Sequence, residues 1–471
     1  VLAASAAAVL FAVHPLMSSA VAYVSGRSEL LCGVFFAAGL LCARSAMSRG
    51  DLTRPDTSPA RPAVDRHRFA GALAILLGAF AVLSKEVAVV LPLVVLAYDW
   101  LVLPASPAVR RRRFWTVFVP ILSLMAVAAA FRLATLSAVG GGTAAAPLQS
   151  ILTHSIVIWR YLGLLILPIG QSIMHGVRTV TAPTDPVGLI ACGALVAAVA
   201  MAIRFRRAEP LAAFGIVWFV AAIAPSSSFV ALREGMAEHR VYVASAGLLA
   251  AFGALSRRAL VRMAGASPRA PVGYISVVLV VASVLSALTL ARNNVWADPV
   301  RLWSEAVVHA PGMWEPLYAL GDALRTAGRC PEAVPEYERV VAIKPDHRDA
   351  HTNLGICLGE SGRLREAEAS FRRVLEIDPR SARAYSNLGA VALLAGEPDR
   401  ARDFYVQAIA ADPRAVLARM QLAHLYEKTY HDYHAAARLC GEARAIDPAT
   451  RGVIECVERN QKLAAAADQG R

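Results

Sequence analysis

Apolar residues occur in long blocks over the first part of the chain, and short polar segments separate the blocks. They run over residues 1–13, 29–43, 69–84, 87–103, 114–135, 150–169, 187–203, 210–224, 241–256 and 271–291. Most approach the roughly 20 helical residues that are needed to cross a bilayer. After about Ala291 the pattern changes to charged segments rich in Glu and Arg. The sequence therefore predicts an all-α chain, with a polytopic transmembrane helix bundle followed by a region of a different physical class.

The charged region repeats itself with a constant spacing. Three families of small or helix-ending residues recur every 34 positions: Pro345, Pro379 and Pro413; Gly321, Gly355 and Gly389; Ala333, Ala367 and Ala401. The small residues let two antiparallel helices approach closely, and the proline ends the second helix. This pattern resembles the tetratricopeptide repeat. We expect a membrane domain over 1–291, a connector over 292–312, about four repeats over 313–451 and a helix or tail over 452–471.

Three amide side chains share one position of successive repeats, namely Asn353, Asn387 and Gln421. An amide both donates and accepts hydrogen bonds, so a row of amides can hold the backbone of an extended peptide. We interpret these residues as candidate peptide-binding groups. The alternative is that they are polar residues tolerated on a solvated face.

The charge distribution excludes nucleic acid as the expected partner. The chain carries a net charge of +13, but most of the surplus lies in Arg-rich loops between apolar blocks, within residues 44–68, 110–113, 204–207 and 257–269. Basic residues in short loops mark the cytoplasmic side of a membrane. The seven cysteines form no CxxC pair, and an odd number cannot all pair internally. We interpret them as small buried apolar residues, which leaves the redox compartment open.

The number of crossing blocks decides which side each loop occupies. If every block crosses, the first two basic loops and the last two lie on opposite sides. All four lie in the cytoplasm if block 150–169, which contains His154 and Arg160, does not cross. We adopt this arrangement, in a bacterial cytoplasmic membrane. It places residues 14–29, Lys85, the glycine-rich loop 140–142, loop 225–240 and the repeats outside the cytoplasm.

Three polar clusters fall on the outer side: "HPLMSSAVAYVSGRSELL" (14–31), "SKE" (84–86) and "EGMAEHRVYVASAG" (234–247). All flank a span, so they can converge at one interfacial site. Cations and histidines hold phosphate, and a carboxylate can act on a hydroxyl. A phosphate-bearing lipid therefore suits the candidate groups, which are Glu29, Glu86, Glu238, Arg27, Lys85, Arg240, His14 and His239. Walker, GxGxxG, GxSxG and HExxH motifs are absent from the sequence, and no metal ligands are predicted.

The stretches "HPL", "AVAYVSGRSELL", "LLGAFAVLSKEVAVVLPLVVLAYDWL", "AEHRVYVASAGLL" and the repeats after "RNNVW" resemble the transmembrane and tetratricopeptide-repeat proteins related to protein O-mannosyltransferases, of the GT-C class. The resemblance implies transfer of a sugar, mannose, from a polyprenyl-phosphate donor to protein hydroxyls outside the cytoplasm, with the repeats presenting the acceptor. Glu86 and Glu238 are its catalytic candidates here, in supporting roles. His14, Arg27, Glu29, Lys85, His239 and Arg240 are the donor-binding candidates.

The apolar start "VLAASAAAVLFAV" suggests a fragment that begins inside a transmembrane helix, so the catalytic acid of that family would precede Val1. Whether the activity requires a divalent metal ion is left open. Two other functions remain: a non-catalytic, membrane-anchored repeat scaffold for protein–protein interaction, and a transporter or ligase of lipid-linked saccharides.

Overall fold

The computed structural model describes residues 2–22, 26–47, 63–137, 147–224, 235–266 and 270–469. The chain divides into two compact units, Val1–Ala310 and Pro311–Arg471, which we call the first and second units. Over the described ranges the regular structure is helical and contains no β-strand. The predicted all-α fold with long apolar helices and a C-terminal helical repeat is confirmed.

The first unit contains thirteen α-helices within the described ranges: α1 (Leu2–Ala12), α2 (Ser18–Ala22), α3 (Arg27–Met47), α4 (Ala63–Ser84), α5 (Leu91–Leu101), α6 (Pro107–Arg113), α7 (Val119–Ser137), α8 (Pro147–Ile166), α9 (Pro186–Arg204), α10 (Pro210–Ile223), α11 (Val241–Ala266), α12 (Ala270–Trp296) and α13 (Pro299–His309). Several begin with proline, whose missing N–H is not needed in the first turn. The Asp185 side chain caps α9 by accepting a hydrogen bond of 2.8 Å from the N–H of Gly188.

Six apolar stretches of the described residues are long enough to cross a membrane: Arg27–Met47, His67–Ser84, Pro107–Phe131, Pro186–Arg204, Glu238–Gly265 and Ala270–Trp296. A seventh crossing arises if α1 and the segment Pro15–Ala22, bent by 55°, form one broken span. Helix α10 is apolar but shorter, and α8 is not among the six. Several helices of the first unit could therefore span a membrane.

Contacts between loops define one end of the first unit, which we call the basic end. The Arg206 guanidinium lies 4.3 Å from the centroid of the Trp100 ring, and Arg258 forms an ion pair of 2.5 Å with Glu209. Met47, at the end of α3, lines the same cavity as Arg110 and Ile203. Segments from all four predicted basic loops thus meet at this end.

The opposite end, which we call the polar end, collects the first turns of α3 and α11 and the last turn of α4. Helix α8 makes its contacts here: Trp159 donates to Ala191 O in α9, the Tyr161 hydroxyl donates to Ala237 O, and Leu165 O bonds His14. Gly176 N donates to His309 O, so the chain reaches Ala310 close to the polar end.

Helices α10 and α11 cross with their backbones in close approach. A Cβ placed on Gly215 would lie 2.2 Å from the carbonyl oxygen of Gly247 and 2.8 Å from the nitrogen of Ala251. A Cβ on Gly247 would lie 2.5 Å from the carbonyl oxygen of Gly215. Only glycine at both positions permits this crossing, in the manner of small-residue contacts between membrane helices. The crossing fixes the start of α11, which carries polar-end residues.

Within the described residues the second unit contains four helix pairs and a final helix: α14 (Trp314–Thr326), α15 (Cys330–Ile343), α16 (Arg348–Glu360), α17 (Leu364–Ile377), α18 (Ala382–Leu394), α19 (Pro398–Ala411), α20 (Val416–Leu425), α21 (Tyr433–Ile446) and α22 (Val453–Gln469). In three successive pairs an aromatic ring of the second helix packs on the repeat glycine of the first, Tyr337 on Gly321, Phe371 on Gly355 and Tyr405 on Gly389. The repeat alanines at 333, 367 and 401 have no exposed surface. The small residues therefore permit close helix approach, as their spacing predicts.

The predicted connector, 292–312, contains the end of α12 and all of α13, within the first unit. The predicted tail forms α22. The glycine-rich loop 140–142, residues 225–234, Tyr23–Ser25, Arg49, Arg54, Arg61 and Arg269 lie outside the described residues, as do the side chains at 63–66.

The interpretation of the cysteines is wrong for four of them. Cys330 bonds Cys357, with Cα atoms 4.9 Å apart, and Cys440 bonds Cys456, with Cα atoms 5.7 Å apart. Each bridge joins the second helix of one pair to the helix that follows it, a proximity that no short sequence motif indicates. Cys32, Cys42 and Cys192 take no part in a disulfide.

We expect the folded, unreduced protein to show three free thiols on denaturation and seven after reduction. The bridges close loops of 27 and 16 residues, for which chain-entropy arguments give about 3 kcal/mol each. Thiol titration with Ellman's reagent and thermal unfolding with and without reductant measure both effects. Seven reactive thiols in unreduced protein would contradict the pairing.

Candidate functional site

Lys85 occupies a break between two helices at the polar end. Its backbone is extended, with φ −155° and ψ 140°, between the end of α4 and a 3-10 turn over Glu86–Val90. Helix α5 then begins at Leu91, with Pro92 in its first turn. A helix cannot continue through an extended residue, so the lysine is held apart from both helices and its side chain can reach a third helix.

The structure gives Lys85 an ion-pair partner on α3. Its Nζ lies 3.3 Å from Oε1 of Glu29, and 17% of the Lys85 side chain but only 1% of the Glu29 side chain is exposed. Oε2 of Glu29 is buried without a hydrogen-bond partner in the described part of the chain. Burying a charge is costly unless it is paired. The Lys85 ammonium group therefore neutralises the buried Glu29 carboxylate.

Other predicted groups surround this pair. Glu86 and Arg240 lie within electrostatic range of Glu29, and Lys85 and Arg240 lie within range of His239. Glu86 is exposed, Arg240 is half-buried and His239 is buried. The polar end thus brings together two cations, two carboxylates and an imidazole from three segments that are far apart in the sequence. We call these five residues, Glu29, Lys85, Glu86, His239 and Arg240, the charged cluster.

The carboxylate of Glu238, a catalytic candidate, contacts residues outside the charged cluster. Its Oε1 accepts a hydrogen bond of 2.6 Å from Ser172 N and lies 2.9 Å from Nε2 of His175. All three side chains are buried. Sequence reasoning missed Ser172 and His175, because they lie in an irregular segment that carries no recognisable motif. In this structure Glu238 anchors that segment at the polar end.

The remaining donor-binding candidates are His14 and Arg27. His14 Nδ1 accepts from Leu16 N at 3.2 Å, and Nε2 lies 3.1 Å from Leu165 O. Both ring nitrogens are therefore engaged, Nδ1 in capping the turn after α1 and Nε2 in a contact with α8. Arg27 is exposed at the start of α3.

A cavity of about 360 Å³ lies beside His14, between α1, α8, α11 and α12. Its walls are apolar apart from His14 and Ser245 and include Phe11, Leu165 and Phe252. The cavity can accept a hydrocarbon chain.

In the second unit the three predicted amides occupy successive repeats as first-helix residues. Asn353 Nδ2 donates to the Tyr318 hydroxyl at 3.3 Å. Burial and the nearby carboxylates of Asp322 and Asp349 raise the pKa of Tyr318, so this hydroxyl stays protonated. Asn387 Nδ2 and Gln421 Oε1 are buried without hydrogen-bond partners among the described residues.

No group of three or more His, Cys, Asp or Glu side chains within the described ranges could hold a metal ion.

Comparison with known proteins supports the repeat region. A family profile described as the tetratricopeptide repeat matches residues 318–379 and 358–416. No curated protein sequence matches the chain.

Among solved structures, the chain is similar to MamA of Desulfovibrio magneticus RS-1, with 23% identity over 32% of this chain and 85% of that one and a TM-score of 0.30. It is similar to TTC0263, a thermophilic TPR protein of Thermus thermophilus, with 21% identity over 38% of this chain and 95% of that one and a TM-score of 0.31. It is also similar to PilF of Pseudomonas aeruginosa, with 20% identity over 38% of this chain and 81% of that one and a TM-score of 0.32. The second unit contains tetratricopeptide repeats, which support a role in protein–protein interaction.

Proposed function

We propose that the first unit binds a polyprenyl-phosphate-linked sugar at its polar end and transfers the sugar, mannose by the resemblance above, to a hydroxyl of a protein bound by the repeats. The observation that carries this proposal is the charged cluster. Buried Glu29 orients Lys85 at 3.3 Å, with Arg240, His239 and Glu86 within electrostatic range. Maintaining buried charges is costly, and ionisable groups at membrane depth mark functional sites.

Lys85 and Arg240 are the phosphate-holding groups of this proposal. Both retain exposed surface, whereas Glu29 is almost fully enclosed. A phosphate at the cluster would receive charge-assisted hydrogen bonds from both cations. His239 is a third donor to the same phosphate. The apolar cavity beside His14 supplies a surface for the prenyl chain.

Glu86 is the carboxylate of the charged cluster that reaches solvent. In the proposed reaction it accepts the proton of the acceptor hydroxyl while the hydroxyl oxygen forms a bond to C1 of the sugar. The bond between C1 and the phosphate oxygen breaks, and its electron pair leaves with the polyprenyl phosphate. Lys85 and Arg240 stabilise the negative charge that develops there. Glu238 keeps a supporting role by anchoring the segment with Ser172 and His175.

The membrane placement of the proposal is a bacterial cytoplasmic membrane with the polar end outside. The described segments of the four basic loops meet at the other end, as expected of cytoplasmic loops. The chain leaves the first unit close to the polar end. Paired cysteines in the repeats suit an oxidising compartment.

The repeats would hold the acceptor protein through the amide row. Two of its three members have buried amide atoms without partners among the described residues. A bound peptide backbone offers both donors and acceptors to such atoms. The unpaired amide atoms also favour a second candidate function, the non-catalytic scaffold, because peptide binding by the repeats does not require the charged cluster.

Binding of radiolabelled polyprenyl-phosphate mannose to the purified full chain in detergent tests the donor site. We expect Arg240→Gln, and the charge-neutral pair Glu29→Gln with Lys85→Gln, to weaken binding by roughly tenfold or more. The control is Arg257→Gln with Arg262→Gln, two exposed arginines near the other end of α11. Equal affinity in all variants would contradict the donor site, and retained protein binding would then favour the scaffold.

A further inference from the structure

The basic end contains a cavity of about 490 Å³ that the proposed donor site does not use. It lies where the ends of α3, α5 and α9 meet α6, α10 and the π-helical turn Phe114–Phe118. Turns of π-helix inside α-helices occur frequently at functional sites.

The walls of this cavity combine apolar side chains with guanidinium groups. Leu93, Leu96, Trp100 and Phe114 line it and are each more than a third exposed. Large exposed apolar side chains around one concave surface indicate a hydrocarbon ligand or environment. Arg110, Arg111 and Arg113 line the cavity at the end of α6, a part of the wall that we call the mouth.

The charge at the mouth is only partly neutralised. Arg113 is buried and donates from Nη1 to Asp99 at 2.7 Å, while Arg110 is half-buried and Arg111 is exposed. Asp99 is the acidic side chain among the cavity residues. One carboxylate therefore faces three guanidinium groups, and the site keeps a positive charge.

Two polar atoms at this mouth are unsatisfied. Nε of Arg110 and Nε of Arg113 are buried, and neither has a hydrogen-bond partner within the described chain. A buried unpaired donor on a charged group is costly. An anionic acceptor at the mouth would satisfy donors that the protein leaves open.

We propose that this cavity is a binding site for an anionic phospholipid of the bilayer, with its phosphate at Arg110 and Arg111 and an acyl chain along Leu93, Leu96 and Phe118. Helices long enough to span a membrane surround the site, so bilayer lipid would be in contact with it. Basic pockets between membrane helices on the cytoplasmic side bind anionic headgroups. A soluble anion would leave the apolar wall uncovered.

The test compares lipid retention by the purified full chain in native mass spectrometry, after exchange into nanodiscs of equal parts phosphatidylglycerol and phosphatidylcholine with matched acyl chains. We expect preferential retention of phosphatidylglycerol, and a loss of roughly tenfold in Arg110→Gln with Arg111→Gln. Leu96→Trp, which fills the apolar wall, should also reduce retention. Arg257→Gln with Arg262→Gln, an equal charge change on exposed residues outside the cavity, should retain the wild-type level.

Size-exclusion chromatography confirms that each variant is folded before the comparison. An equal loss in the control variant would show general surface attraction and overturn the site. Unchanged retention in Leu96→Trp, or displacement of the lipid by inorganic phosphate alone, would also overturn it. The donor-binding measurement uses residues at the opposite end, so failure of one proposal leaves the other standing.

Discussion

Replacing Lys85 with methionine is expected to destabilise the first unit by about 3 kcal/mol, because it leaves the buried Glu29 carboxylate without its ammonium partner. Glu29 has an exposed side-chain fraction of only 1%, so water cannot compensate. The loss of stability should appear as a lower midpoint of thermal unfolding in detergent. Unfolding is monitored as the fraction of monodisperse protein in size-exclusion chromatography.

The double variant Lys85→Met with Glu29→Gln separates this explanation from a general packing defect. Removing both charges eliminates the unpaired carboxylate, so most of the stability should return. A matched exposed pair in the repeats, Arg402 with Asp399, should lose less than about 1 kcal/mol when Arg402 is changed to Gln. If the double variant is as unstable as Lys85→Met, the ion pair does not explain the effect.

Gly215→Ala is expected to destabilise the first unit by about 2–3 kcal/mol, at the upper end of overpacking effects. The added Cβ would lie 2.2 Å from the Gly247 carbonyl oxygen and 2.9 Å from the Ala251 Cβ. The nearest of these atoms belongs to backbone, so relief requires α10 and α11 to separate. Thermal unfolding of the purified full chain in detergent measures this loss.

Gly253→Ala is the matched control on α11. Its added Cβ would meet Ala3 O and the Ala7 Cβ at 3.6 Å, an ordinary contact distance. Because alanine favours helix over glycine, we expect this variant to match or slightly exceed the wild-type stability. Equal destabilisation by both substitutions would contradict the close crossing.

The repeat architecture could be predicted from the sequence because its determinants are local. The spacing of Gly355 and Ala367, and their recurrence 34 residues later, describe one helix pair and its neighbour directly. The gathering of the polar segments beside the apolar blocks could also be predicted from the sequence, since alternate helix ends in a bundle lie on the same side. Glu29, Lys85 and Arg240 therefore meet as their places beside apolar blocks suggest.

Pairings between distant segments could not be predicted in the same way. The sequence places Glu86 next to Lys85, but the ion pair reaches Glu29 on α3. Glu238 lies beside His239 in the chain, yet its carboxylate bonds Ser172 and His175, because the turn that precedes α11 directs it toward that segment. The bridge between Cys330 and Cys357 depends on how one repeat stacks on the next. Such contacts are set by tertiary packing rather than by spacing.

The proposed function depends above all on whether the purified full chain in nanodiscs transfers radiolabelled mannose from polyprenyl-phosphate mannose to protein. We expect label on protein hydroxyls with the wild-type chain, and loss of that label in Glu86→Gln while donor binding persists. Equal labelling with Glu86→Gln would contradict the assigned role of Glu86. Tight donor binding without any transfer by the wild-type chain would contradict the claim that this protein is a transferase.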